Sequence, residues 1–180
     1  MFKYLFLPVV AVMIASCAPI SEDECRGGDW GAIGLEDGKK GRLASILGKY
    51  TETCAEFGVA PNKETYLAAR AAGLEFYCTP QNAYEVGRDG GRLNNVCKPQ
   101  IQQSIRPAYD RGRRYHEITE RMEKLDDRID ELQDDLSSIR RQEATPERDS
   151  QVRAIRSRIS DLRHDIFVLD LQKDRFDTYP

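Results

Sequence analysis

Two stretches of the chain repeat their apolar positions with heptad regularity. The first runs Tyr115, Ile118, Met122, Leu125, Ile129, Leu132, Leu136 and Ile139, alternating steps of three and four without a slip. The second runs Val152, Ile155, Ile159, Leu162, Ile166 and Leu169 with the same alternation. Seams of this kind predict coiled-coil helices. Between them, Thr145 is placed as an N-cap, Pro146 at the first helical position and Glu147 where a carboxylate complements the helix dipole. So short a turn, near 144–147, folds the second helix back antiparallel on the first. The first seam spans 25 residues, an arm about 37 Å long at 1.5 Å per residue.

The chain before this arm follows another grammar. Residues 25–106 are rich in Gly and aromatics, whereas residues 107–180 hold one glycine, Gly112. One amphipathic helix is predicted from about Arg42 to Phe57, with Leu43, Ile46, Leu47, Tyr50, Cys54 and Phe57 on its apolar face and Gly58 ending it. Asn62 caps a second that carries Tyr66, Leu67, Ala69 and Ala71 and ends near Gly73. Thr79-Pro80 starts a third, which stops near Gly90-Gly91. The fold class is therefore all-α: a small helical unit over 25–106, then an antiparallel coiled-coil hairpin over 107–180.

Charge refines the hairpin. Residues 117–135 hold nine acidic and three basic side chains, and residues 148–163 five basic and two acidic. Folding about position 145 sets Glu131, Asp134 and Asp135 near Arg156, Arg158 and Arg163. Such pairs select register more than they stabilise, since each exposed one contributes only up to about 1 kcal/mol. The acidic stripe has no EF-hand spacing and no loop glycine, so it reads as a solvated face and not a metal site.

The opening sixteen residues have a separate logic. Lys3 precedes an apolar run from Leu5 to Ile14, broken only by Pro8 and too short to span a bilayer. Ile14-Ala15-Ser16-Cys17 follows. This is the layout of a secretory signal, and its ending resembles a bacterial lipobox. The resemblance implies cleavage before Cys17, a diacylglyceryl group on its sulfur, and, because Ala18 follows, sorting to the periplasmic face of the outer membrane. On this reading residues 1–16 are signal peptide and 17–24 a tether. The exported part, 164 residues with 26 basic and 30 acidic side chains, gives no reason to expect nucleic acid. Four further cysteines, Cys25, Cys54, Cys78 and Cys97, read as two disulfides in an exported chain. Three connectivities are open. Cys25–Cys54 with Cys78–Cys97 is preferred because each closes a local loop. Zinc is the weaker alternative, for no two cysteines lie two to four residues apart.

A loose internal repeat runs through the first unit. Tyr66-x-x-Ala69-x-x-x-Gly73-Leu74 leads to Cys78, Tyr84-x-x-Gly87-x-x-x-Gly91-x-Leu93 leads to Cys97, and Tyr109-x-x-Gly112 begins a third copy. The Trp30 segment is a looser fourth. Trp30, Tyr66, Tyr84 and Tyr109 read first as core residues. Facing a ligand instead, they would form an aromatic platform that stacks on the sugar rings of peptidoglycan. The string Asp29-Trp30-x-x-Ile33-Gly34-x-x-Asp37-Gly38-x-x-Gly41, then Cys54-x-x-x-Gly58, Tyr66, Gly73-Leu74-x-x-Tyr77-Cys78-x-Pro80-x-Asn82 and Tyr84-x-x-Gly87 resembles the bacterial lipoprotein family catalogued as domain of unknown function 2799. The resemblance covers roughly residues 17 to 120, departs at Ala69 and Leu93, and implies an envelope lipoprotein without naming an activity.

Catalytic signatures are missing from the sequence. His116 and His164 are the only histidines, both in the charged helices. No nucleophile elbow, zinc-protease helix, phosphate loop or dinucleotide fingerprint occurs. A glycan hydrolase built on two carboxylates would leave no such mark. The expectation is a non-catalytic envelope scaffold without metal or cofactor. Its lipid holds the membrane and its hairpin binds another protein or a second copy. The alternatives are the peptidoglycan-binding module and an outer-membrane assembly factor.

Overall fold

The computed structural model describes residues 19–179, so the expected signal peptide over 1–16 and the expected lipidation site Cys17 lie outside the described residues. Among those described, all regular structure is helical: α1 (Glu22–Gly27), α2 (Trp30–Lys39), α3 (Ile46–Ala55), α4 (Lys63–Tyr77), α5 (Pro80–Arg88), α6 (Pro99–Arg140) and α7 (Pro146–Lys173), with a 3₁₀ turn at Asp174–Phe176. The predicted caps are in place. Asn62, Thr79 and Thr145 each accept a backbone N–H of the first turn, and Pro80 and Pro146 open their helices.

Two differences arise near the start of the chain. The tether expected over 17–24 is already folded by Ile20, which is 4% exposed in the core with Trp30, Tyr50 and Tyr66. Ser21 and Glu24 then form a reciprocal capping box that starts α1. The helix expected over 42–57 begins only at Ile46. Arg42 closes α2 instead: its N–H bonds the Asp37 carbonyl at 2.8 Å after Gly41 has turned left-handed at φ 62°. Leu43 is consequently 57% exposed rather than on the buried face.

α2 packs on α4, and α5 packs on the first part of α6. Both crossings are made by facing glycines. A Cβ on Gly38 would overlap the Arg70 carbonyl oxygen, and one on Gly73 that of Leu35. In the second crossing, Gly87 meets the Tyr109 carbonyl and Gly112 that of Tyr84. The two crossings are structural duplicates. Three residues after Gly38 and Gly87 come the left-handed Gly41 and Gly90. Arg42 and Gly91 then bond back to Asp37 and Val86, each at 2.8 Å. Four residues after Gly73 and Gly112, the rings of Tyr77 and His116 lie under those left-handed glycines. Three residues before Gly73 and Gly112, the side chains of Arg70 and Tyr109 donate to the Arg42 and Gly91 carbonyls. The repeating unit is thus a helix pair and not the single Tyr-small-Gly helix. Tyr84-x-x-Gly87 and Tyr109-x-x-Gly112 face each other across one crossing, and Gly73 corresponds to Gly112, not Gly91. His116, in a helix that reads as charged, is half-buried for the same reason.

Cys25 bridges Cys54, tying α1 to α3, and Cys78 bridges Cys97, tying the end of α4 to the segment before α6. The boundary expected at 106/107 falls inside α6, which continues through Pro107 into the arm. Along the arm every predicted seam position is buried or half-buried, with Ile129, Leu132 and Ile159 at its centre. The chain end clamps the base. Tyr84 donates to the Phe176 carbonyl at 2.6 Å, Arg111 to that of Thr178 at 2.7 Å, and Arg88 pairs with Asp177 at 3.0 Å.

The expected charge pairing across the hairpin does not form. Among the described residues, no ion pair joins Glu131, Asp134 or Asp135 to Arg156, Arg158 or Arg163; the pairs run along single helices, as in Arg128 with Glu131 and Lys173 with Asp170. An exposed pair seldom offsets the entropy of ordering two long side chains. Register is held by the apolar seam and the clamp.

The crossings separate the glycines sharply. Gly38→Ala and Gly112→Ala should each destabilise by roughly 1–3 kcal/mol through overpacking. Gly48→Ala, at an α3 position with nothing within 4 Å, should stabilise by about 0.5–1 kcal/mol. Urea unfolding of the three variants checks this; equal effects at Gly38 and Gly48 would refute the close-approach account.

Candidate functional site

The most concentrated polar chemistry lies beside the first crossing. Asp37 sits on α2 one residue before Gly38, so the backbone contact that needs Gly38 carries its carboxylate to the inner edge of α3 and α4. It is 3% exposed. Oδ2 accepts the hydroxyls of Tyr50 and Tyr66, each at 2.8 Å. Oδ1 accepts Arg42 Nη1 at 3.0 Å, and the same nitrogen donates to Tyr50 Oη at 2.9 Å. Tyr50 comes from α3 and Tyr66 from α4, their rings edge to face at 6.2 Å. Arg70 binds the Arg42 carbonyl through Nε at 2.9 Å. One carboxylate therefore ties three helices and the α2–α3 turn together.

Burial and the adjacent carboxylate oppose a second negative charge on the ring hydroxyls. Burial first, then the bond to Asp37, pushes Tyr50 up to about 12. The same causes in the same order raise Tyr66. The two phenols stay protonated donors, and the Asp37 oxygens are occupied by three donors. This arrangement is suited to holding helices. A groove of about 450 Å³ opens beside it, lined by Pro19, Glu24, Asp29, Glu36, Lys40 and Arg42 among others.

Sequence reasoning did not single out Asp37, Tyr50, Arg42 or Arg70 as a cluster. Asp37-Gly38 reads as turn chemistry, because glycine-rich α2 has no apolar period. The available signal was Gly34 and Gly38 four apart, which mark one close-packing face and place Asp37 at its edge.

The four aromatics proposed as a ligand platform lie elsewhere than that reading requires. Trp30, Tyr66 and Tyr84 are buried, and Tyr109 is half-buried with its hydroxyl on the Gly91 carbonyl at 3.1 Å. Tyr66 is bound to Asp37 and Tyr84 to the Phe176 carbonyl. The three tyrosine hydroxyls are spent on internal bonds and the four rings on the two cores, so they do not line an open groove. The disulfide cysteines divide similarly: Cys25 and Cys54 are fully buried, while Cys78 and Cys97 are partly accessible. On the arm, the outer face of α7 exposes Phe167, Val168 and Leu171 within about one turn.

Residues 29–114 match the model of the family described as Protein of unknown function (DUF2799). This segment is similar to the DUF2799 family. The match starts at the N-cap of α2 and ends just past Gly112, so it takes in both glycine crossings and the Asp37 centre. The arm beyond it and α1 before it lie outside the match. No curated protein and no solved structure matches the chain.

The Asp37 centre predicts an alkaline transition. The folded pKa of Tyr50, about 12, exceeds its usual value of 10.0, so this contribution to stability is complete below pH 10 and is lost as pH rises through 12. Tyr50→Phe should cost about 1–3 kcal/mol at neutral pH by leaving buried groups unpaired. Absorbance titration should show two tyrosines ionising only as the helical signal collapses. All tyrosines ionising near pH 10 with helicity intact would contradict the assignment.

Proposed function

We propose that the protein is a non-catalytic, lipid-anchored scaffold of the bacterial envelope, held at the periplasmic face of the outer membrane by acyl groups on Cys17. The DUF2799 domain is its rigid base, and the α6–α7 arm docks another protein or a second copy. The observation that carries this reading is the outer face of α7. A hairpin that has already buried its seam still exposes Phe167, Val168 and Leu171 together. Large apolar side chains grouped on a solvent face mark interaction sites, and on a helix they serve as anchors at positions i and i+4. The buried Asp37 and Arg70 of the base are engaged in joining helices and the α2–α3 turn, in keeping with a support.

A photoreactive residue replacing Val168 in the full-length protein, expressed in its native envelope, should give a discrete crosslinked protein on irradiation. Phe167→Ser with Leu171→Ser should abolish that product while changing folding stability by no more than about 0.5 kcal/mol, as expected of surface positions. Sedimentation of the Cys17→Ser form separates a second copy from a different partner. An arm that crosslinks to nothing would remove the scaffold reading. Cys17→Ser protein that still fractionates with membranes would remove the lipid anchor.

A further inference from the structure

The lipid anchor leaves almost no spacer, and this constrains how the domain meets the membrane. Only Ala18 and Pro19 separate Cys17 from Ile20, and Ile20 is built into the core with Trp30, Leu47 and Tyr50. Three residues of chain reach at most roughly 11 Å. Any lipid on Cys17 must therefore lie within that distance of Ile20, and the surface around Pro19 must lie at the headgroups. That surface is the groove beside the Asp37 centre, where Pro19 shares the lining with Glu24, Asp29, Glu36, Lys40 and Arg42. Next to it, the turn after α2 holds out Leu43, 57% exposed.

We infer, on the reading that Cys17 is acylated, that the folded unit lies directly on the bilayer with this groove and the Lys39–Leu43 turn against zwitterionic phospholipid headgroups. The charge pattern selects the lipid class. The groove wall is neither basic nor acidic throughout. Lys40 and Arg42 offer cations to a lipid phosphate, while Glu24, Asp29 and Glu36 offer carboxylates to a headgroup ammonium. A purely anionic surface would meet those three carboxylates unfavourably. Leu43 enters the boundary between headgroup and chain, and the lysine stems lie along it with their amines in the headgroup layer. The arm needs no tether to keep it clear of the bilayer, because the base itself is seated.

The test uses the full-length protein purified with its modification and reconstituted into vesicles of phosphatidylethanolamine and phosphatidylcholine. Amine-reactive footprinting, read residue by residue, compares vesicles with the Cys17→Ser protein in solution. Labelling of Lys39 and Lys40 should fall severalfold in vesicles, while Lys124, far out on the arm, keeps its rate. Unchanged labelling of Lys40 in acylated, vesicle-bound protein would overturn the seated orientation and leave the anchor reading standing. Protection of Lys40 already present in the Cys17→Ser protein would also overturn it, pointing to cover by a second copy. Intact mass is measured first: an unmodified Cys17 would sink the anchor reading and this inference with it.

Discussion

The base depends on two places where helix backbones touch. At Gly38–Gly73 and Gly87–Gly112 no side chain separates the helices, and a single added methyl group would overlap a carbonyl oxygen. Close approach of this kind gives up the apolar burial that a Leu or Ile would supply. It gains a tightly defined crossing in return, since main-chain surfaces have only one way to fit. The rest of each pair follows from it. Each left-handed glycine, Gly41 and Gly90, can cover an aromatic ring because the contact glycine three residues earlier has already brought the helices together. Asp37 reaches Tyr50 and Tyr66 for the same reason.

The two copies have diverged around this shared geometry. In the first, the position before the contact glycine is Asp37, and the side chain donating across to the turn is Arg70. Burying that carboxylate would be costly alone, but two tyrosine hydroxyls and the partly exposed Arg42 offset the cost. In the second, the corresponding residues are Val86 and Tyr109, and the crossing is apolar with one tyrosine bond. Polar engagement fixes α2, α3 and α4 in a core that is otherwise small. Each disulfide then restricts the unfolded chain, closing 29 and 19 residues and contributing about 3 kcal/mol apiece on loop-closure reasoning. Against a typical net stability of about 5–15 kcal/mol, the bridges are a large share.

What could be read in the sequence tracks the kind of interaction involved. The arm was legible to single residues, because a seam of side chains packing on side chains leaves its period in the pattern. The caps at Asn62, Thr79 and Thr145 were legible because each is a local bond. In the base, α3, α4 and α5 were legible, but α1, α2 and the pairing of the helices were not. Backbone contact leaves only glycines behind, and Gly34 and Gly38 in α2 erased the apolar period that would have announced a helix. The tyrosine repeat misled for a related reason: Tyr66, Tyr84 and Tyr109 share a local string yet occupy different members of the two pairs. The short turn near 144–147 gave the antiparallel sense of the hairpin, whereas the ion pairs expected from the charge pattern do not form among the described residues, since surface charge biases register only weakly.

Continuity of α6 joins these levels. The first turns of this helix pair with α5 through Gly112, and its remainder is half of the arm, with no break at Pro107 or where the DUF2799 match ends. The other half is tied down as well, because the residues after α7 return to Tyr84, Arg88 and Arg111. A load on the arm therefore acts on the second crossing from both helices rather than on a flexible joint. The link onward to the first crossing runs through Cys78–Cys97 and through Asn94, which binds the Tyr77 hydroxyl and the Gly41 carbonyl. Of these connections only the accessible disulfide is covalent. Opening it would leave each helix pair intact and the two joined by the short α4–α5 turn, where the Asn82 side-chain amide donates to the Tyr77 carbonyl at 2.9 Å.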